Sequence, residues 1–457
     1  MTYLILLALA FFSLLAIIRL DWALFIILLS LPSYLIRFQL GPIPSTMLEM
    51  MILIVFFVWF VKNKTWQRWN KKSWTIRTKK YPYHLEIIGI LIAAWIALAV
   101  SGFSNSGLGV FKAYFLEPIM LYIVIINNSQ GNYRKYIWPL SLSALFISSI
   151  AIFQQLTGAF IFNEFWANLA TRRVTSVFSY PNAVGLYLAP IIFLSISLFW
   201  GYPKKSSLVV ALKKMLILLS IISSIAAIIF ARSEGALIAI LGASFVFALL
   251  FNKRSRIIAI TVSILAIFLI SLSPNNWQYL KDKATLMDLS GQIRRQQWKE
   301  TMLMLQDGKL ITGAGLNNYQ TAIEPFHQEG IFVKNHDPEW HRHVVWNEEY
   351  RKKMWQPVEI YLYPHNIFLN FWTELGLLGL CLFFFLISRY LYDAFKILKK
   401  DKQKERVFSL GLIAAMSTVL IHGLVDVPYF KNDLAIIFWL LIAFLGIMKL
   451  KLQTKKI

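Results

Sequence analysis

Tyr361-Leu-Tyr-Pro-His-Asn366 closes a long polar stretch that begins near Ser273. It runs directly into an apolar segment carrying Glu374-Leu-Gly-Leu-Leu-Gly379. Imidazole is the side chain best suited to moving a proton near neutral pH. A histidine delivered to the mouth of a helix bundle, beneath a large polar loop, is placed for chemistry at a membrane face, so His365 is the candidate catalytic residue. The plainer role of Pro364-His365-Asn366 is to start a helix, for which Asn366 is a good cap. Glu374 lies within the apolar segment that follows. An ionisable group inside a span is a functional candidate by default, because leaving it unpaired in lipid is costly; its alternative role is to pair with a basic residue elsewhere in the bundle. Gly376 and Gly379 would let a neighbouring helix approach closely.

Arginine supplies the second kind of chemistry. Its planar fork grips phosphate oxygens in pairs. Arg294-Arg295, with Trp298, opens a helix in the polar stretch. Arg232-Ser-Glu-Gly235 occupies a tight turn between two apolar segments, where Arg232 can bind an anion or pair with Glu234. Arg172-Arg173 precedes the loop-to-helix transition at Tyr180-Pro-Asn182. Clustered, Arg294, Arg295, Arg232 and Arg173 would form a diphosphate site; apart, they are solvated basic faces. Lys112 and Glu117 are a weaker signal, with an intramembrane pair as the plain alternative. His422 and Asp426 stand four apart on one helix face and read as a structural pair. His336, His341 and His343, with Asp337 and Glu339, match no zinc-ligand spacing, so no metal is expected. No glycine loop for nucleotide phosphates and no Ser-His-Asp signature is visible, and no cofactor is expected.

These residues need positioning elements, and the composition says which kind. Of 457 residues, 58% are hydrophobic, above the 45–50% or so of a soluble domain. The apolar runs are long enough to cross about 30 Å of hydrocarbon as helices. Segments fall near 3–18, 22–37, 47–61, 84–100, 113–126, 136–155, 182–200, 208–230, 235–251, 257–272, 366–390, 407–425 and 434–450. The expectation is an all-α polytopic membrane protein with about 12–13 transmembrane helices. It divides into helices over 1–272, a large loop over 273–364, and three last helices with a basic tail over 365–457. Met1 to Ile18 lacks a basic start and a cleavage site, so it reads as a retained span. Cys381 is the only cysteine, which excludes an intrachain disulfide and a thiolate cluster. No internal repeat or low-complexity segment is apparent.

The net charge of +23 does not indicate nucleic acid, because of where it lies. Ser273 to Pro364 holds eleven basic and eleven acidic residues. The remaining 35 of 46 basic residues face only 12 of 23 acids, mostly in short connections. Lys62 to Lys80, Arg134-Lys135, Lys204-Lys205, Lys253 to Arg256, Lys396 to Arg406 and the tail through Lys456 all fall on one side of the span count. By the positive-inside rule that side is cytoplasmic, and the large loop is extracytoplasmic. The expected location is the cytoplasmic (inner) membrane, multi-pass. Within the loop, Ile293, Trp298, Met302 and Leu305 recur at helical spacing, predicting an amphipathic helix over Arg294 to Leu305 that Gly313-Ala-Gly315 breaks.

At Arg173 to Pro190, Arg294 to Gln320, Tyr363 to Gly379 and His422 to Leu440, the chain resembles the O-antigen ligase and O-antigen polymerase family of membrane glycosyltransferases. With the span pattern and the single large loop, the resemblance covers most of the chain. It implies a GT-C-like helical bundle and a glycan donor linked to undecaprenyl (polyprenyl) diphosphate. It also implies transfer to an acceptor hydroxyl on a glycan, a lipid or a protein at the outer face, without a nucleotide sugar and, for ligases, without a metal. The family histidine corresponds to His365 and the loop-helix arginine to Arg294. Where the family often has Ser-Arg-Gly-Ala, this chain has Ser233-Glu234-Gly235-Ala236, which moves the arginine to Arg232. On a helix two positions rotate a side chain by about 200°; in an extended turn Arg232 still reaches the site.

The resulting expectation is an inverting transfer with His365 as base and Arg294, Arg232 and Arg173 on the diphosphate. The polymerase branch uses the same donor with a lipid-linked glycan as acceptor. A lipid-linked sugar transporter or flippase would be a different class, but such proteins usually carry paired repeats. A structural scaffold would leave the loop-side arginines without a role.

Overall fold

The computed structural model describes residues 2–41, 43–63, 81–203, 207–400 and 404–454. The basic connection through 64–80, the Lys204-Lys205 pair and the tail at Lys455 and Lys456 lie outside the described residues. The protein is an all-α polytopic membrane protein. Among the described residues, nine helices are long and apolar enough to cross a bilayer.

In chain order the helices and strands begin with α1 (Thr2–Ile18), α2 (Leu20–Leu29), β1 (Arg37–Leu40), β2 (Ile43–Thr46), α3 (Met47–Lys62) and α4 (His84–Val100). The first long spans are α5 (Asn105–Asn128), α6 (Arg134–Thr157), α7 (Asn182–Gly201), α8 (Leu208–Phe230), α9 (Glu234–Phe251) and α10 (Lys253–Ser271). The polar segment holds α11 (Pro274–Ala284), α12 (Leu289–Met304), β3 (Gly330–Phe332) and β4 (Trp355–Pro357). The last spans are α13 (Ile367–Lys400), α14 (Lys404–His422) and α15 (Asn432–Thr454).

The expected span over 22–37 is not one helix. Pro32 disfavours helical backbone at the residue before it, so α2 stops at Leu29 and a short 3₁₀ turn spans Leu31–Leu35. The chain then forms the antiparallel β1–β2 hairpin, with Arg37 opposite Thr46. The Thr46 side chain caps α3 and Glu49 returns the bond to the Thr46 amide, a reciprocal cap.

The centre of the bundle is made by α7 and α15, whose residues are almost all buried. Around them pack α14, α8, α6, α5 and α13. Proline shapes one of these contacts. Pro118 has no N–H for the carbonyl four residues back, and the Tyr114 carbonyl instead accepts the Tyr429 hydroxyl at 2.8 Å. A wide turn of helix at Phe111–Leu116 accommodates the change. In contrast, α10 has no buried residue.

The polar segment is bound to the bundle through a break in α13. Gly376 has φ 71°, a left-handed conformation open to glycine. The break frees the Leu377 amide and the Thr373 carbonyl. They pair with the Ile311 carbonyl at 2.9 Å and the Ala314 amide at 2.7 Å. A Cβ on Gly376 would collide with the Ile311 carbonyl oxygen. Gly376 therefore admits loop backbone, not a neighbouring helix as its spacing with Gly379 suggested. Gly379 packs against Leu375 of its own helix.

The loop helix α12 starts at Leu289, earlier than Arg294, and ends at Met304. The chain reverses at Asp307 and Gly308, ahead of Gly313-Ala-Gly315. Those glycines seat the loop against the membrane helices: a Cβ at Gly313 would lie 2.5 Å from the Trp372 carbonyl oxygen.

Gly376→Ala should cost about 1–3 kcal/mol in backbone strain alone, with further loss as residues 311–312 are displaced. The expected outcome is a lower thermal unfolding midpoint in detergent and faster proteolysis between α12 and α13. Gly109→Ala, where a Cβ meets nothing within 4 Å, serves as the control. Equal midpoints for the two variants would contradict the docking described.

Candidate active site

His365 is held from three directions. Its own backbone is left-handed, at φ 44°, a conformation uncommon for a non-glycine residue. Ahead of it, α12 grips the chain: the Gln297 amide donates to the Tyr363 carbonyl at 2.9 Å and the Trp298 indole to the Pro364 carbonyl at 2.8 Å. Behind it, Asn366 accepts from the amides of Phe368 and Leu369, both at 3.0 Å. Asn366 is thus the cap of α13, and its own amide group donates to Leu424 at 3.0 Å.

The imidazole stands between two phenol rings, with centroids 5.1 Å from Tyr361 and 5.0 Å from Tyr363, both nearly perpendicular. Its Nδ1 lies 3.7 Å from Asp426 Oδ1. That is an ion-pair separation and too long for a hydrogen bond, and Nδ1 has no hydrogen-bond partner among the described residues. Asp426 is buried and accepts from the Val427 amide at 2.8 Å. Burial pushes the Asp426 carboxyl up, but the interaction with His365, and then His422, outweighs it and holds the group at about 2. Asp426 was read from its spacing as a structural partner of His422. The fold turns its carboxylate to His365, and only its backbone amide bonds to the His422 carbonyl.

Arg294 is half-buried on α12, and its guanidinium has no hydrogen bond or ion pair among the described residues. Its charge acts on Tyr361, the ring that touches His365, and on His422. The Arg232 turn reaches the same histidine: a Cβ on Gly235 would lie 2.9 Å from the His422 ring. Arg232 has φ 50° and an exposed side chain. It does not pair with Glu234, which binds Lys283 of α11 at 2.6 Å.

Arg173 holds that turn. Its guanidinium donates to the carbonyls of Ala231 at 3.0 Å and Arg232 at 3.3 Å, and to Asn182 Oδ1 at 3.1 Å. Burial, and then the charge of Arg232, lower its pKa. Two guanidinium charges are therefore crowded together while the nearby carboxylate is engaged elsewhere. Arg295 points differently. It contacts Met287 and lines a separate cleft of about 900 Å³ with Gln292, Trp340 and Trp355.

Of the supporting residues, Glu374 is buried and accepts from the Asn317 amide at 2.7 Å. It fastens the loop to α13. Glu117 is buried with neither oxygen bonded among the described residues. The expected Lys112–Glu117 pair does not form, because Lys112 binds Glu49 at 2.5 Å. The loop histidines sit in separate contacts: His336 with Asp282 at 3.0 Å, His343 with Asp337 at 2.7 Å, and His341 against Trp340.

The geometry groups His365, Asp426, Arg294, His422 and the Arg232–Arg173 turn, and leaves Arg295 and Glu117 outside. Asp426 is the residue whose part in the site the sequence reading did not give. Its signal in the sequence was its spacing of four from His422, which pointed to a structural pair and not to His365. No curated protein matches the chain. Residues 218–384, the segment that carries the Arg232 turn, α12, His365 and the broken helix, match the family model described as O-antigen ligase, so over that segment the chain is similar to the O-antigen ligases.

Proposed function

We propose that this protein transfers a glycan from a polyprenyl-diphosphate-linked donor to an acceptor hydroxyl at the extracytoplasmic face of the cytoplasmic membrane. The reading rests on one observation: unmatched guanidinium charge beside a histidine that a buried carboxylate faces. Arg294 has no bonded partner among the described residues, and the charge of Arg232 acts on the half-buried Arg173, opposed only by Glu234, which is itself bound to Lys283. An incoming diphosphate would relieve both. The family match supports glycan transfer of the ligase or polymerase type.

In the proposed step, His365 uses the ring nitrogen turned from Asp426. It accepts the proton of the acceptor hydroxyl as that oxygen bonds to the anomeric carbon. The bond from that carbon to the diphosphate oxygen breaks, and the electron pair leaves on the diphosphate. A single displacement of this kind inverts the anomeric centre. Asp426 stabilises the imidazolium that forms. Arg294 and Arg232 take the charge of the leaving group. Arg173, whose donors are committed to the turn, acts as a positioning residue for Arg232. The guanidinium groups fill the role that a metal ion plays in other diphosphate chemistry.

In a transfer assay with a polyprenyl-diphosphate-linked glycan, His365→Ala should slow turnover by about 10²–10⁴-fold, the usual worth of a positioned general base. Undiminished turnover would remove His365 from the reaction. Arg294→Ala should cost about 10²–10³-fold, and Arg294→Lys should recover only part, because an ammonium lacks the planar fork. Arg295→Ala should stay close to wild type.

Sidedness has its own measurement. Trp346 in the polar segment is 83% exposed. In intact spheroplasts a membrane-impermeant maleimide should label Trp346→Cys. Labelling only after lysis would place the polar segment, and the reaction, on the cytoplasmic side.

A further inference from the structure

Tyr363, whose ring packs on His365, also lines a cavity of about 280 Å³ whose wall includes neither Arg294 nor Arg232. Tyr34, Arg37, Asn370, Glu374 and Lys431 form its polar wall. It adjoins a second cavity of about 680 Å³, which shares Tyr34, Arg37 and Asn317 with it.

The polar groups of this wall are incompletely satisfied. The Tyr34 hydroxyl and the Asn370 side-chain oxygen are buried and have no hydrogen-bond partner among the described residues. Buried polar groups are normally bonded, so each such orphan calls for a partner. Lys431 is more demanding. Its ammonium stands over the rings of Tyr180 at 4.5 Å, Phe178 at 5.2 Å and Tyr34 at 5.9 Å. Aromatic faces stabilise a cation, but they accept none of its three N–H bonds in ordinary geometry. Among the described residues no carboxylate lies within 4.0 Å of it. Burial lowers its pKa, and Asp433 and Asp426 oppose that from farther away. Each of the nearby acids has a backbone donor on one of its oxygens. Asp426 takes the Val427 amide and faces His365, and Glu374 takes the Asn317 amide; Asp433 takes the Leu434 amide on one oxygen, and its other oxygen is buried without a hydrogen-bond partner among the described residues and farther than 4.0 Å from the Lys431 ammonium. Arg37 adds a second cation without a bonded partner among the described residues.

The missing ligand must therefore offer anionic oxygens to Lys431 and Arg37 and hydroxyl groups to Asn370 and Tyr34. We propose that this cavity is the acceptor subsite and that it takes a sugar bearing a carboxylate, with the reacting hydroxyl presented past Tyr363 to His365. The assignment rests on the transfer reading above, and it divides the site. Diphosphate lies on the Arg294 and Arg232 side, and the acceptor ring on the Lys431 side.

The test is direct binding to the full chain in detergent or nanodiscs, with glucuronic acid, glucose and inorganic phosphate as probes. Glucuronic acid should bind at least tenfold more tightly than glucose. Lys431→Met should abolish that preference, and Arg37→Gln, at the exposed rim, should weaken it independently of any folding defect in the first variant. Lys431→Met should keep its binding of polyprenyl diphosphate, which Arg294→Ala should lose. Equal affinity for glucuronic acid and glucose, or a preference that survives both substitutions, would overturn the proposal. So would phosphate binding as tightly as glucuronic acid, which would mark a bare anion site. Because the readout is binding, it stands apart from turnover: a His365→Ala variant with normal transfer would refute the catalytic reading and leave this preference intact.

Discussion

The structure depends on a backbone exchange at Gly376. Inside a bilayer every amide and carbonyl must find a partner within the protein. Breaking α13 a few turns after it starts exposes two such groups, and the loop after α12 supplies both partners. Trp372 adds an indole bond to the Leu310 carbonyl at 2.7 Å, and Glu374 fastens the Asn317 amide. The polar segment is thus not tethered only by its ends. It completes the hydrogen bonding of a membrane helix, and the helix fixes where the segment sits.

That arrangement explains how a residue at the end of a long loop can be placed accurately. His365 lies between α12, which holds the preceding carbonyls, and the Asn366 cap, which starts α13. The left-handed backbone at His365 is a strained conformation that neighbours must enforce, and these contacts enforce it. Electrostatics follow from the same geometry. Asp426 stays ionised although buried because His365 and His422 are close. Arg173 tolerates both burial and a like charge because its donors are absorbed by the carbonyls of the turn it supports.

Much of this was legible in the residues. Hydropathy located the membrane helices, because apolar length alone decides what can span. The polar gap and its end at His365 were visible for the same reason. Local chemistry was harder to read across long separations. Pro32 ended α2 where hydropathy alone suggested a continuing span. Gly376 and Gly379 carry the spacing of a helix-packing face, and nothing local reveals that loop backbone fills the break. Asp426 sits at helical spacing from His422, so proximity in sequence pointed to the wrong imidazole. Arg294 and Arg295 are adjacent, and only the rotation of α12 separates the one that faces Tyr361 from the one that faces the outer cleft. Lys431 and Arg37 meet only because the β1–β2 hairpin and the start of α15 come together.

One helix stands apart from these arguments. α10 buries none of its side chains fully and packs along one face against α9 alone among the spans, whereas α7 and α15 are enclosed by protein. Acyl chains therefore cover the rest of its surface, doing there what neighbouring helices do for α15. Leucine, isoleucine, valine and phenylalanine are interchangeable along most of its length, since a fluid surround has no fixed shape to match. Extraction into detergent exchanges that surround for a micelle, so this corner of the molecule, beside the Arg232 turn, is the part whose environment solubilisation alters most.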